Sequence, residues 1–499
     1  MPDSTKDILT DISAEPSFKP SLGLFDATMI VAGSMIGSGI FIVSADITRN
    51  VGSAGWLIAV WLITGFMTLT AAVSYGELSA MFPKAGGQYV YLKEAFNPLA
   101  GFLYGWSFFA VIQTATIAAV GVAFGKFASY IFPALSEKNI LWGIEKGVNA
   151  AGVTQYSFSV SAAQLLAIGI IVLLTYINTK GIEGGKLIQR IFTSTKLLAL
   201  FGLIIFGFIL VKHSYWDENW KTGMNAMQLE KDTAGNFVTN GNWFSIGGTA
   251  LIGAIAASMV GSIFSSDSWN NVTFIAGEIK NPQKNIGLSL FLGTLIVTII
   301  YVCANLMYLN ALPLHDIAFA ANDRVAVPAA NNIFGNAGTY VIAVLIMVST
   351  FGCNNGLILA GARVYNTMAK DGLFFFKKAA DLNKNAVPEF ALWIQCIVAA
   401  LLCLSGKYGD LLDMIAFVVV IFYALTIIGI FVLRKKMPNA PRPYKAFGYP
   451  VLPVIYIILA LVFCVFLILM KPSYAGFGLG IVLLGFPLYY LAFSKQKKV

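Results

Sequence analysis

Charge is scarce in this chain, and that scarcity excludes most of what 499 residues could otherwise be. Asp, Glu, Lys and Arg make up 11% of the residues against 58% apolar ones, and the mean hydropathy is +0.76. A soluble domain carries about 25% charged residues, so the composition points instead to an all-α polytopic membrane protein. Histidine is nearly absent: His213 and His315 are the only two, both in polar connecting segments. A metal centre or a histidine proton relay needs more than that, and no metal or cofactor is expected. The five cysteines (Cys303, Cys353, Cys396, Cys403 and Cys464) all fall in apolar runs, so no disulfide framework is implied. The formal net charge of +9 sits in short connecting segments and is not interleaved with aromatics on a polar face, which argues against nucleic acid. No acid, base and nucleophile converge as an enzyme requires. The polar start, with Lys6 and Lys19, lacks the apolar core and cleavage site of a signal peptide, so the first hydrophobic segment is expected to remain in place.

What the chain has instead is long hydrophobic runs. About twelve approach the ~20 residues that a bilayer requires. The expected organisation is a cytoplasmic tail (1–21), a first set of five spans (22–212), an external loop (213–246) and a second set of five (247–433). Helices 11 and 12 with their preceding cytoplasmic loop (434–494) and a short tail (495–499) complete it. With the N-terminus inside, roughly 22 Lys/Arg residues fall in cytoplasmic segments and about 10 in external ones, as the positive-inside rule requires. Arg434, Lys435 and Lys436 with Arg442 and Lys445, then Lys377 and Lys378, then Lys495, Lys497 and Lys498 dominate that bias. Both termini are therefore expected in the cytoplasm of a plasma membrane, bacterial in type, with lipid as the surrounding partner.

Two of the runs are interrupted. The first carries Gly33-Ser34-Met35-Ile36-Gly37-Ser38-Gly39-Ile40, and each of those glycines costs a helix interior about 1 kcal/mol relative to alanine. The sixth carries Gly261-Ser262-Ile263-Phe264-Ser265-Ser266-Asp267-Ser268. Backbone groups freed inside a bilayer cost several kcal/mol unless protein, water or ligand satisfies them, so such breaks line cavities. Two of them, each first in a set of five, are the mark of an inverted 5+5 repeat with a binding site between the breaks. The alternative is that small residues here only allow close helix packing.

The half-helix restarting near Gly39 turns its N-terminus to the cavity, where the N–H groups of Gly37, Ser38 and Gly39 suit a carboxylate. Carbonyls of Met35, Phe264 and Asp267 suit an ammonium group, so the pair of breaks fits a zwitterion. Asp267 reads two ways, as an ammonium partner or proton carrier, or as the N-cap of the second half of span six. Phe264 is either an aromatic gate or a packing residue, and Asn270 is a candidate substrate contact. Lys196 lies about ten residues, ~15 Å, inside span five, too deep to snorkel. It is expected to bridge carbonyls of Gly33 and Ile36 toward span eight near Ser349. There a fixed ammonium could stand in for a sodium ion, or could give up a proton. Glu77 and Lys126 end their spans and are expected at the interface. Gln113 either faces the cavity or makes an interhelical hydrogen bond.

Further segments resemble a known family. Gly37-Ser38-Gly39-Ile40-Phe41, Gly76-Glu77-Leu78 through Phe82-Pro83-Lys84-Ala85-Gly86-Gly87, and Trp269-Asn270 through Gly277-Glu278-Ile279-Lys280-Asn281-Pro282 are the first three. Gly361-Ala362-Arg363-Val364-Tyr365 with Asp371-Gly372, and Arg442-Pro443-Tyr444 through Gly448-Tyr449-Pro450, follow in order. Together they resemble amino-acid/polyamine/organocation superfamily permeases of the L-type amino-acid transporter-like branch. The resemblance implies a twelve-helix fold and sodium-independent amino-acid transport by alternating access. It implies a carboxylate site at Gly37, Ser38 and Gly39, a gate at Phe264, and Lys196 at the vacant sodium position. The run Ser265-Ser266-Asp267-Ser268-Trp269 departs from the family, with Ser266 where many relatives have tyrosine and Ser268 where they have glycine. Relatives joined to an ancillary glycoprotein use a cysteine after span three. Residues 131–159 contain none, so no disulfide-linked ancillary subunit is expected. The leading expectation is an amino-acid exchanger; a proton-coupled symporter and, less favoured, a polyamine or organic-cation carrier are the alternatives.

Overall fold

The computed structural model describes residues 20–148, 154–232, 237–238, 241–405 and 408–493. Nearly all of the expected N-terminal tail, and the closing lysines 495, 497 and 498, lie outside them. The described chain is a polytopic bundle of α-helices. Ten helices are long and apolar enough to cross a membrane, and two apolar ones, Glu389–Leu404 and Ala475–Leu491, are shorter.

The bundle opens with α1 (Leu24–Met35), which stops and resumes as α2 (Gly39–Ile42) and α3 (Ser44–Val51). Then come α4 (Ala54–Met81), the short α5 (Gln88–Ala95), and α6 (Pro98–Ser107), which passes through a π-turn at Phe108–Ile112 into α7 (Gln113–Ile131). A hairpin of β1 (Ile140–Val148) and β2 (Thr154–Ser161) leads to α8 (Ala162–Thr179) and α9 (Ile182–Ile209). The polar connection that follows holds α10 (Trp216–Trp220) and the antiparallel pair β3 (Met227–Leu229) and β4 (Trp243–Ser245). The second half runs α11 (Gly248–Ser265), α12 (Asn271–Phe274), α13 (Pro282–Ala311), α14 (Leu314–Ala318), α15 (Ala326–Phe334) and α16 (Asn336–Lys370). It closes with α17 (Glu389–Ser405), α18 (Tyr408–Lys436), α19 (Val451–Met470) and α20 (Pro472–Phe493). The sequence reading anticipates neither hairpin. In β1 and β2 the apolar residues that alternate, Trp142, Ile144 and Phe158, remain exposed, so no core marks the segment as strand.

Local chemistry sets the starts of several helices. The Ser53 hydroxyl accepts the Trp56 N–H at α4, and Ser161 with Gln164 forms a capping box at α8. Asn97 accepts the Ala100 N–H at 2.9 Å, with Pro98 at the first helical position of α6. Close packing draws α13 against α4 and α1. A β-carbon on Gly65 would run into Thr298, and one on Gly293 into Val31.

Glu77, expected at the interface, is packed inside the protein at the end of its span. It is 1% exposed and accepts from Arg434 at 3.0 and 2.7 Å and from the Ala446 N–H at 2.8 Å, with Arg442 at 3.3 Å. The segment after α18 folds back across the end of α4, a tertiary contact that position within a span does not reveal. Lys126 likewise keeps only 12% of its side-chain surface, beside Asp323 at 3.9 Å. Removing one partner of a buried charge pair costs about 3–5 kcal/mol. Glu77→Gln is therefore expected to lower the melting temperature in detergent. An unchanged temperature would mean that Arg434 and Arg442 do not depend on this carboxylate.

Candidate functional site

In the first break the helical bonding ends at the Ile36 N–H, which reaches Ala32, and the helix restarts at Gly39. The carbonyls left over are met one by one by side chains from three surrounding helices. Lys196 of α9 donates to Gly33 at 2.5 Å and to Ile36 at 2.6 Å. Cys353 of α16 lies 3.0 Å from the Ser34 oxygen, and the Tyr301 hydroxyl of α13 is 3.1 Å from that of Met35. The Ser349 hydroxyl of α16 donates to Gly37 at 3.1 Å, with Ile36 at 3.4 Å. Lys196 and Ser349 thus meet on one carbonyl, that of Ile36. Lys196 is 1% exposed.

The helix restarts at Gly39 with Ser38 at the cap position and no side-chain capping bond. Gly39 is pressed onto the second break: a β-carbon there would overlap the Ser265 hydroxyl. One on Gly37 would stand 3.2 Å from the Cys353 sulfur.

The second break is wider. The Ser266 N–H still reaches Ser262 at 3.0 Å, and the Asp267 N–H reaches Phe264 at 3.2 Å. Ser268 then turns with φ +64°, the left-handed region that favours glycine, and α12 begins only at Asn271. Asp267 is therefore not the helix cap. The cap position falls on Asn270, with no side-chain capping bond, because the turn through Ser268 delays the restart. Instead the Tyr423 hydroxyl of α18 donates to the Asp267 carboxylate at 2.5 Å. The Asn270 amide donates to Gln88 at 3.0 Å, and Gln88 donates to Thr426 at 3.0 Å. Trp269 packs between Tyr75 and Tyr423, with ring centres 4.8 and 5.2 Å away. The two breaks are joined through Tyr301, whose hydroxyl also lies 2.8 Å from the Ser265 carbonyl.

Two narrow cavities flank Asp267. One, about 10 Å³, is lined by Gln88, Tyr104, Gln113, Asp267, Asn270 and Tyr423 among others. The other, about 20 Å³, has Thr64, Thr68, Ser266, Asp267, Tyr423 and Tyr456 in its wall. Each has room for about one water molecule. Met35, Gly37, Ser38, Gly39 and Phe264 line neither cavity and are packed in the core, Phe264 at 7% exposure. Asp267 and Asn270 share the first cavity, and the glycine segment lines neither of the two. Gln113 does both things foreseen for it, lining the first cavity while donating to Leu357 at 2.7 Å. Among the described residues no group of three His, Cys, Asp or Glu side chains could hold a metal ion.

The profile of the amino acid permease family matches residues 22–491. The chain belongs to the amino acid permease family. Its work is amino-acid transport through a membrane rather than catalysis. The permease is 30% identical over 484 residues to the human "Large neutral amino acids transporter small subunit 2", a match that spans 97% of this chain and 82% of the relative. It is 28% identical over 487 residues to the mouse "Asc-type amino acid transporter 1", across 97% and 83% of the two chains. It is also 27% identical over 474 residues to the "Serine/threonine exchanger SteT" of Bacillus subtilis (strain 168), across 95% and 96%.

Sequence reasoning on the permease missed Tyr301, Tyr423, Gln88, Thr426 and Cys353. Each stands in an apolar or glycine-rich run where tyrosine, glutamine or cysteine reads as packing. It also left unpaired the quoted motif residues Glu278 and Arg363. In the fold the Arg363 Nε donates to the Glu278 carboxylate at 3.0 Å, and both side chains are almost fully buried. The Glu278 carbonyl in turn takes the N–H groups of Ser21 and Leu22, fastening the lead into α1 to the segment after α12.

Proposed function

We propose that this permease is a sodium-independent exchanger of amino acids that works by alternating access. The observation that carries the reading is Lys196, a buried ammonium held by the Gly33 and Ile36 carbonyls of the first break. A fixed positive charge there does for the broken helix what a bound cation would do, so no sodium gradient is needed. The substrate carboxylate sits on the N–H groups of Gly37, Ser38 and Gly39. Its ammonium group faces the carbonyls of Met35, Phe264 and Asp267, with Asn270 beside it and Phe264 closing over it. A carbonyl has two lone pairs, so Met35 can hold both Tyr301 and a substrate ammonium. Opening separates the breaks that are now in contact, as two five-helix repeats (22–212 and 247–433) rock against each other. The permease acts in the plasma membrane with both termini cytoplasmic and without a disulfide-linked partner. The exchanger named among its relatives supports the mode of coupling.

One observation favours a second reading, proton symport: Asp267 and Tyr423 share a hydrogen bond at 2.5 Å between the two cavities, a place where a proton can be carried. Proteoliposomes decide between them. Exchange predicts uptake of labelled amino acid only into vesicles preloaded with unlabelled amino acid. Accumulation in empty vesicles under an inward proton gradient would overturn exchange in favour of symport.

Ser266 is the expected determinant of substrate size. It lines the 20 Å³ cavity beside Thr64 and Thr68, and a tyrosine ring there fills space that a larger side chain would use. Ser266→Tyr is expected to weaken binding of large amino acids by about tenfold relative to small ones, the effect of one or two methylenes' worth of lost room. An unchanged profile across a panel of amino acids would remove Ser266 from the site.

A further inference from the structure

A large groove, lined by no residue of either break, lies where α4 and the start of α13 meet the segment after α18. It has a volume of about 740 Å³, within the range of ligand-sized pockets. Its floor is formed by Val73 of α4 and by Gly287, Leu288 and Phe291 of α13, and Phe447 forms an outer wall. Leu288, Phe291 and Phe447 are 37%, 39% and 72% exposed, so the groove opens sideways toward the lipid. The polar groups at its rim are Gln283, Lys284, Lys445 and the Tyr444 side chain, and no carboxylate lines it. The carboxylate nearest in the chain, Glu77, is buried and paired with Arg434 and Arg442.

The groove therefore has polarity along its length. Lys284 stands in the first turn of α13, and Phe291 is seven residues further along the same helix, about 10 Å deeper. Two exposed ammonium groups sit at the level where α13 begins, and an apolar trough descends from them into the hydrocarbon. That is the outline of an amphiphile with an anionic head. A zwitterionic choline head would set a cation against Lys284 and Lys445, whereas an anionic head leaves its phosphate uncompensated for them.

We propose that this groove is a binding site for one anionic phospholipid, with its phosphate on Lys284 and Lys445, assisted by the Gln283 amide, and an acyl chain along Leu288 and Phe291. The bound lipid braces three parts of the permease that are already in contact. A β-carbon on Gly76 would stand 2.7 Å from the Tyr444 ring, and one on Gly287 3.5 Å from the Gly76 Cα. Next to Gly76, Glu77 anchors Arg442 and the Ala446 N–H. A lipid in the groove touches α4, α13 and this segment together, so it stabilises their closed arrangement.

Native mass spectrometry of the delipidated full-length permease tests the proposal, with phosphatidylglycerol, phosphatidylcholine and inorganic phosphate as separate probes. Phosphatidylglycerol is expected to bind one molecule about thirtyfold more tightly than phosphatidylcholine, the contribution of two lysines near a headgroup. It is also expected to raise the melting temperature. Lys284→Gln with Lys445→Gln should bring the two lipids to equal affinity, and Lys284→Arg with Lys445→Arg should keep the preference. Leu288→Trp, a change on the lipid-facing surface, should weaken both lipids by occupying the trough. Equal binding of the two lipids to the unaltered protein, or an undiminished preference in the double glutamine variant, would overturn the proposal. So would binding of inorganic phosphate as tight as that of the lipid. None of these readouts depends on which amino acid is carried or on how transport is coupled.

Discussion

Gly39→Val is expected to abolish substrate binding. The position is the first residue of the restarting helix and lies against Ser265 of the other break. A β-carbon there overlaps the serine hydroxyl, and a valine adds two methyl groups where the proposed carboxylate would meet the N–H groups of Gly37 to Gly39. Hydrogen bonds to a charged group contribute about 1.5–3 kcal/mol each. Losing two of them weakens binding by ~3 kcal/mol, roughly 100-fold. The overlap with Ser265 also strains the contact between breaks, typically by about 1–3 kcal/mol. The double variant Gly39→Val with Ser265→Gly separates the two causes, because it removes the overlapping hydroxyl and leaves the N–H groups obstructed. Binding measured by scintillation proximity should stay lost in both variants, with a monodisperse elution profile to show folding. Recovery in the double variant would reduce Gly39 to a packing residue, and normal affinity in the single variant would remove the anion site altogether.

Lys196→Ala is expected to have the second largest effect. The ammonium satisfies two carbonyls that no helix can reach, at 2.5 and 2.6 Å, in a position sealed from solvent. Removing it strands them at a cost of about 1–3 kcal/mol each, and Ser349 at 3.4 Å offers Ile36 only a long contact. The melting temperature in detergent should fall clearly and transport should stop. The same variant tests the stand-in role directly, since alanine leaves space between the Gly33 and Ile36 oxygens. Sodium that restores stability or transport in Lys196→Ala would show that the ammonium replaces an ion. Wild-type melting and wild-type uptake in sodium-free buffer would show that the lysine holds nothing essential.

Both breaks are legible in the sequence because glycine and serine violate the rule that a membrane helix should run without interruption. Lys196 is legible because a lysine that deep in an apolar run must find oxygen atoms, and the glycine break offers them. The partners of Asp267 are not legible. Tyr423 lies 156 residues away in an apolar run where tyrosine is ordinary, and Arg434 lies 357 residues from Glu77. The delayed restart of the sixth span escaped notice for another reason. A serine at position 268 does not by itself mark a left-handed turn, although the glycine that relatives carry there does, and that turn takes Asp267 out of the capping position.

Tyr301 gives the meeting of the two breaks a further meaning. A phenolic hydroxyl has a single proton, yet this one lies 3.1 Å from the Met35 carbonyl and 2.8 Å from that of Ser265. The two halves of the molecule are rivals for that proton. Were one break to withdraw, the hydroxyl would keep the carbonyl of the other, and α13 would register the separation as a change of partner at one atom.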